Sequence, residues 1–147
     1  MKKTGKSTGL RVAVGRDSRL SGEALCGWIC EAMVEQGVIV TNFGMASTPA
    51  MFMATITEGY EFDGTVMITA SHLPFNRNGF KFFTKDGGLN KKDITEILDV
   101  AASDERISEL GTLQYADREY FDMGRAFPHE DCDVMDAYCE HLRNIIK

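Results

Sequence analysis

No apolar run in this sequence approaches the ~20 residues that a membrane span requires, which excludes a transmembrane helix. No Lys/Arg cluster stands out, and the net charge of −6 argues against nucleic acid as the main partner. An anionic substrate would therefore be captured by local cations rather than by the overall field. The four cysteines, Cys26, Cys30, Cys132 and Cys139, lack a zinc-finger spacing. They read as free thiols of an intracellular protein, with Cys26 and Cys30 one helical turn apart. Asp131, Cys132, Asp133 and Asp136 read as a charged lead into a helix rather than a metal site. The first nine residues are basic and polar with no apolar signal region, so the cytoplasm is the expected compartment, with organelle targeting left open. There is no internal repeat.

What is present is an ordinary globular composition over 147 residues, long enough for one domain with a real core. Residues 10–14 read as a short buried strand, followed by a loop of Gly15, Arg16, Asp17, Ser18 and Arg19. Ser21 is the expected cap of the next helix, whose stripe is Leu25, Trp28, Ile29, Ala32 and Met33, with Gly37 as its stop. Residues 38–43 form a second strand. Ser47 or Thr48 then caps a short, apolar helix with Pro49 in its first turn. The run Thr65, Val66, Met67, Ile68, Thr69 suits a strand covered on both faces. Residues 80–83 form a fourth strand, ended by a turn at Lys85-Asp86-Gly87-Gly88. Asn90 caps a helix with an inner stripe of Ile94, Ile97, Leu98 and Ala101. From Val134 a last helix carries Met135, Tyr138, Leu142 and Ile145 on one side, a stripe that either packs back or pairs two copies in a homodimer.

This order, β-α-β-α-β-β-α, predicts an α/β fold: a three-layer α/β/α sandwich with a mixed four-stranded sheet. Three strands are parallel and the fourth is an antiparallel edge. The expected organisation is a flexible tail over residues 1–9, one domain over 10–105, and a linker and helix over 106–147.

Chemistry concentrates where the central strand ends. Ser71 and His72 lie just past its carboxyl end, where open α/β sheets place their sites. Pro74, Asn76, Asn78 and Gly79 force a loop there, and Lys81 follows on the next strand. Arg16 and Arg19 stand in the loop after the first strand, at the same edge, where two arginines offer bidentate contacts to phosphate or carboxylate, and Arg16 is the one expected to point into the cleft. Asp17 reads equally well as the pin of a tight turn.

The pattern Thr69-Ala70-Ser71-His72-x-Pro74, with Asn78-Gly79-x-Lys81, resembles the phosphoserine signature of the α-D-phosphohexomutases. The run from Val14 to Gly22 is similar to that family's earlier motif, and Thr48-Pro49 to its Thr-Pro. The resemblance covers residues 12–102 and points to the first of four domains. It implies that Ser71 carries the transferable phosphoryl group and that His72 and Lys81 assist at the phosphate. It places Arg16, Thr48 and Asn78 as substrate- or phosphate-binding candidates. It implies a hexose phosphate substrate, a hexose 1,6-bisphosphate intermediate and activator, and Mg²⁺ held by an oxygen of the Ser71 phosphate with other ligands from a second domain. The family's Asp-x-Asp-Gly-Asp-Arg metal loop, its sugar-reading segment and its C-terminal phosphate loop are absent from these residues, so the fragment alone is expected to be inactive.

One position departs from the signature: Leu73 stands where many members carry Asn. That departure supports an alternative, a non-catalytic pseudo-mutase that binds sugar phosphate in a regulatory role. A Ser71-His72 hydrolase is the third reading. It lacks a Gly-x-Ser-x-Gly elbow, and adjacent residues align poorly for proton transfer.

Overall fold

The structure, a computed structural model, describes residues 5–6, 8–103 and 134–146. The elements in order are β1 (Arg11–Arg16), α1 (Gly22–Glu35), β2 (Ile39–Met45), α2 (Thr48–Met53), β3 (Gly64–Ile68), β4 (Phe80–Thr84), β5 (Gly87–Gly88), α3 (Lys91–Ser103) and α4 (Val134–Ile145). Residues 106–133, including the linker and the Asp131, Cys132 and Asp133 stretch, lie outside the described residues.

The sheet is mixed, in the order β2-β1-β3-β4-β5. β1 runs parallel to both β2 and β3, while β4 is antiparallel to β3. The sheet has five strands rather than the expected four, because Gly87 and Gly88 fold back on β4 instead of only turning the chain. A two-residue strand leaves almost no periodic signal, and glycine there reads as turn chemistry. β4 is consequently not the edge.

Successive residues on a strand face opposite sides, and here each side has its own core. Ala13 and Met67 join Phe43, Met51, Ala54, Phe62 and Val134 on the side of α2 and α4. Val14, Val66 and Ile68 join Cys26, Cys30 and Val40 on the side of α1. On the α2 side, the buried hydroxyl of Thr65 donates to the carbonyl of Met51 at 2.7 Å, fixing α2 to β3.

Two helix readings need correction. The buried centre of α1 is Cys26 and Cys30, flanked by Leu25, Ile29, Met33 and Val34, whereas Ala32 is exposed and Trp28 only half-buried. The stripe is rotated toward the cysteines, which behave as small hydrophobes. The hydrogen bond with Cys26, and then burial, push the Cys30 thiol up, which keeps it a neutral packing group. Ser21 does not cap α1 with its side chain. Ser47, not Thr48, caps α2, accepting from the Ala50 N–H at 3.2 Å.

The segment 89–125 forms a unit of its own, of which α3 is the described part. None of the α3 residues is buried, and Leu98, on the stripe expected to face inward, is 61% exposed. Amphipathic spacing identifies the face that burial would use, without supplying the cover.

β1 approaches α2 closely at one residue. A Cβ on Gly15 would lie 2.6 Å from Met51 Sδ and 3.0 Å from Ala46 Cβ, and Met51 is fully buried with little room to give. Gly15→Ala should therefore destabilise the fold by about 1–3 kcal/mol, the usual cost of overpacking. Urea denaturation measures this, and an unchanged midpoint would show that the contact is not tight.

Candidate functional site

Ser71 sits where the resemblance and the strand pattern both place it. Thr69 extends the β3 ladder by one bond, its N–H donating to Gly79 O at 2.9 Å, and the chain then loops from 70 to 79. The loop is built from two turns, closed by Leu73 N–H to Ala70 O at 3.0 Å and by Arg77 N–H to Pro74 O at 2.9 Å. Both turns leave carbonyl oxygens directed to the inside of the loop, and each needs a donor.

One side chain supplies those donors. Arg19, with 9% of its side chain exposed, reaches into the loop from the segment after β1. Its Nη2 donates to Ser71 O at 2.7 Å. Its Nη1 donates to Leu73 O, Pro74 O and Arg77 O at 3.0, 2.6 and 3.1 Å. Its Nε donates to Asp17 Oδ2 at 3.0 Å, which fixes the guanidinium from behind. The same carboxylate oxygen accepts from the Thr69 hydroxyl at 2.7 Å, and the Thr69 oxygen accepts from the Ser71 N–H at 3.0 Å. The Asp17 N–H donates to Ile68 O at 3.1 Å, closing the circuit onto β3. Both peptide groups flanking the Ser71 Cα are thus held by Asp17, directly or through one intermediary.

The conformation so held is an uncommon one. Ser71 has φ of 55°, in the left-handed region where a Cβ is crowded, and its side chain is presented to solvent. Such strain persists when the surroundings over-determine it, and it concentrates at functional positions.

The other expected residues distribute as follows. Lys81 lies on β4 opposite Met67, and its side chain is exposed on the face of the sheet toward α2. His72 is exposed, and no hydrogen bond or ion pair among the described residues joins the side chains of Ser71, His72 and Lys81. The Ser-His alignment that a hydrolase requires is therefore not formed here. Arg16 is committed to its own surroundings, with Nη1 on Asp17 O at 3.3 Å and Nη2 on Glu23 Oε2 at 3.5 Å. Asn78 donates from Nδ2 to the Ser21 hydroxyl at 2.6 Å, tying the loop to the start of α1, while its Oδ1 is buried without a partner. Thr48 occupies the first turn of α2 and is spared capping by Ser47. A cavity of about 380 Å³ opens at the other end of the sheet, lined by Phe62, Asp63, Thr84 and Lys85, away from Ser71.

The sequence offers both Arg16 and Arg19 as donors at this edge and favours Arg16 for the cleft; the structure gives Arg19 the loop carbonyls. The available signal was a loop rich in inward carbonyls and an Asp-x-Arg pair at the same sheet edge.

Burial works against charge on Asp17. The hydrogen bond from Thr69, those from the Arg19 main chain and side chain, and the Arg19 charge outweigh it and hold the carboxyl below its ordinary value. A depressed carboxylate contributes stability above its unfolded pKa and loses it as pH falls through the folded one. Denaturation between about pH 5 and pH 2 should show the parent losing more stability than Asp17→Asn; equal slopes would contradict the network. The left-handed φ makes a second prediction. Ser71→Gly should be more stable than Ser71→Ala by about 1 kcal/mol, because only glycine occupies that region without penalty. Thermal melts compare the two directly, and an alanine variant at least as stable would show that the strain is absent.

The comparisons with known proteins identify the family. Residues 1–107 match the family model described as phosphoglucomutase/phosphomannomutase, alpha/beta/alpha domain I. A phosphoglucosamine mutase of Corynebacterium glutamicum (strain R) is 38% identical over 133 residues, covering 90% of this chain and 27% of that protein. A phosphomannomutase of Salmonella muenchen is 33% identical over 111 residues, covering 74% of this chain and 23% of that one. A solved phosphoglucomutase/phosphomannomutase family protein from Burkholderia thailandensis superposes with a TM-score of 0.66 at 26% identity, covering 96% of this chain and 28% of that one. The chain spans about a quarter of the length of these relatives. It belongs to the phosphoglucomutase/phosphomannomutase family, in the region of domain I.

Proposed function

We propose that this chain is the phosphoserine-bearing part of a mutase that moves a phosphoryl group between positions 1 and 6 of a hexose phosphate. The observation that carries the reading is Ser71, exposed and strained at the end of β3, with the peptide on each side of it fixed by the Asp17–Arg19–Thr69 network. A serine hydroxyl is a poor nucleophile without a base, and none is bonded to Ser71 here. A serine that already carries the group to be transferred needs position more than a base, because phosphoryl transfer depends on alignment and charge neutralisation. Phosphorylated Ser71 gives its phosphoryl group to one sugar hydroxyl. The bisphosphate reorients, and Ser71 takes back the other phosphoryl group. Lys81 and His72 are the cationic and proton-bearing groups that the motif assigns to the transferring oxygens. The three-layer arrangement belongs to the same reading and is supported by the two core clusters on opposite sheet faces.

Mg²⁺ supplies charge neutralisation at the phosphate when bound. Among the described residues no group of three His, Cys, Asp or Glu side chains could hold a metal ion. The contribution of these residues to such a site is thus the phosphate oxygen on Ser71, and no step here is routed through the metal.

Leu73, which motivates the pseudo-enzyme alternative, has a limited structural effect. Its N–H and C=O both hold the loop, to Ala70 O and from Arg19, and any residue supplies those groups. The loop geometry therefore does not depend on an amide side chain at this position.

The test is peptide mass spectrometry on the full-length protein after incubation with a hexose 1,6-bisphosphate and Mg²⁺. Phosphate should appear on Ser71, and Ser71→Ala should reduce mutase turnover to background. An unmodified Ser71 in folded protein would remove the mutase reading in favour of the pseudo-enzyme.

A further inference from the structure

Among the described residues three arginines stand at the carboxyl edge of the sheet, and two of them are already engaged. The Arg19 guanidinium is consumed by four main-chain carbonyls and Asp17. Arg16 is held by Glu23 and the Asp17 carbonyl. The third, Arg77, is exposed, and its guanidinium has no hydrogen bond or ion pair among the described residues. Its main chain is nevertheless fixed at both ends, the N–H to Pro74 O at 2.9 Å and the carbonyl to Arg19 Nη1 at 3.1 Å. Ser71 O accepts from the other terminal nitrogen of the same guanidinium at 2.7 Å. One planar group thus holds the backbone at 71 and at 77 side by side, although six residues separate them in sequence.

Resting on the mutase reading, we propose that Arg77 is a phosphate-binding residue whose guanidinium pairs with the phosphoryl group carried by Ser71. A planar fork of N–H donors fits two phosphate oxygens at once, a contact that neither Lys81 nor His72 offers. A phosphoserine brings a charge near −2 to this loop, and Arg77, whose main chain is held next to that of Ser71, is the one of these three arginines left uncommitted among the described residues. In the dephosphorylated state the exposed side chain is available to the phosphate of an incoming sugar bisphosphate.

The experiment uses the full-length protein with phosphoserine installed at position 71 during translation, followed by the ³¹P resonance across pH. A guanidinium beside the phosphate favours the dianion, so the second ionisation in Arg77→Gln should move up by about 0.5–1 unit relative to the parent. Arg77→Lys should recover part of that shift, and Lys85→Gln, at the other end of the sheet, should titrate with the parent. His72 and Lys81 are unchanged in all four proteins, so the difference belongs to Arg77. Parent and Arg77→Gln titrating at the same pH would overturn the assignment. Because the phosphate is installed directly, that result is separable from failure of the mutase reading, which would appear as no phosphate transfer from a sugar bisphosphate to Ser71.

Discussion

The hydrogen bonds from Arg19 to the loop after β3 are what the rest of the site depends on. A loop of ten residues carrying one proline, two asparagines and a glycine is entropically costly to fix, and four of its carbonyls converge on one side chain. A neutral donor could satisfy one of them. A guanidinium satisfies four, and Asp17 on its Nε keeps it oriented. The result is a rigid support beneath an exposed serine that would otherwise relax out of its left-handed conformation.

That support is long-range. Asp17 and Arg19 lie just past β1, and the groups they hold lie 52 to 58 residues further along the chain. Parallel pairing of β1 with β3, ending at Arg16 opposite Ile68, brings the two loops to the same edge. The core on either side of the sheet sets this register, since a one-residue slip would exchange Met67 with Val66 and Ile68 between the two faces. Packing in the sheet therefore determines geometry at Ser71, and the close approach of Gly15 to Met51 is part of the same register.

Element types and their order were legible in the sequence, because β-branched runs, caps and glycine stops are local signals. So was the position of Ser71, since a strand that stops at a small polar residue before Pro and Asn marks a loop at a sheet edge. Partnerships were not legible. Arg16 reads as a cleft residue, and its ion pair with Glu23 on α1 is not encoded along the strand. Ser21 reads as a cap, yet its hydroxyl accepts from Asn78, 57 residues away. The α1 stripe is misjudged when Cys26 and Cys30, read as free thiols, are left out of its apolar face. Each of these depends on what stands opposite a residue in space, which spacing along one element does not encode.

The central claim is that Arg19 holds the Ser71 loop while the sheet holds itself. Amide hydrogen exchange on the parent and Arg19→Gln tests it most directly. The account predicts that protection at Leu73 and Arg77, whose N–H groups close the two turns, is lost in the variant, while the amides of β1 and β3 exchange as slowly as before. Unchanged protection at those two amides, or equal loss across β1 and β3, would contradict it.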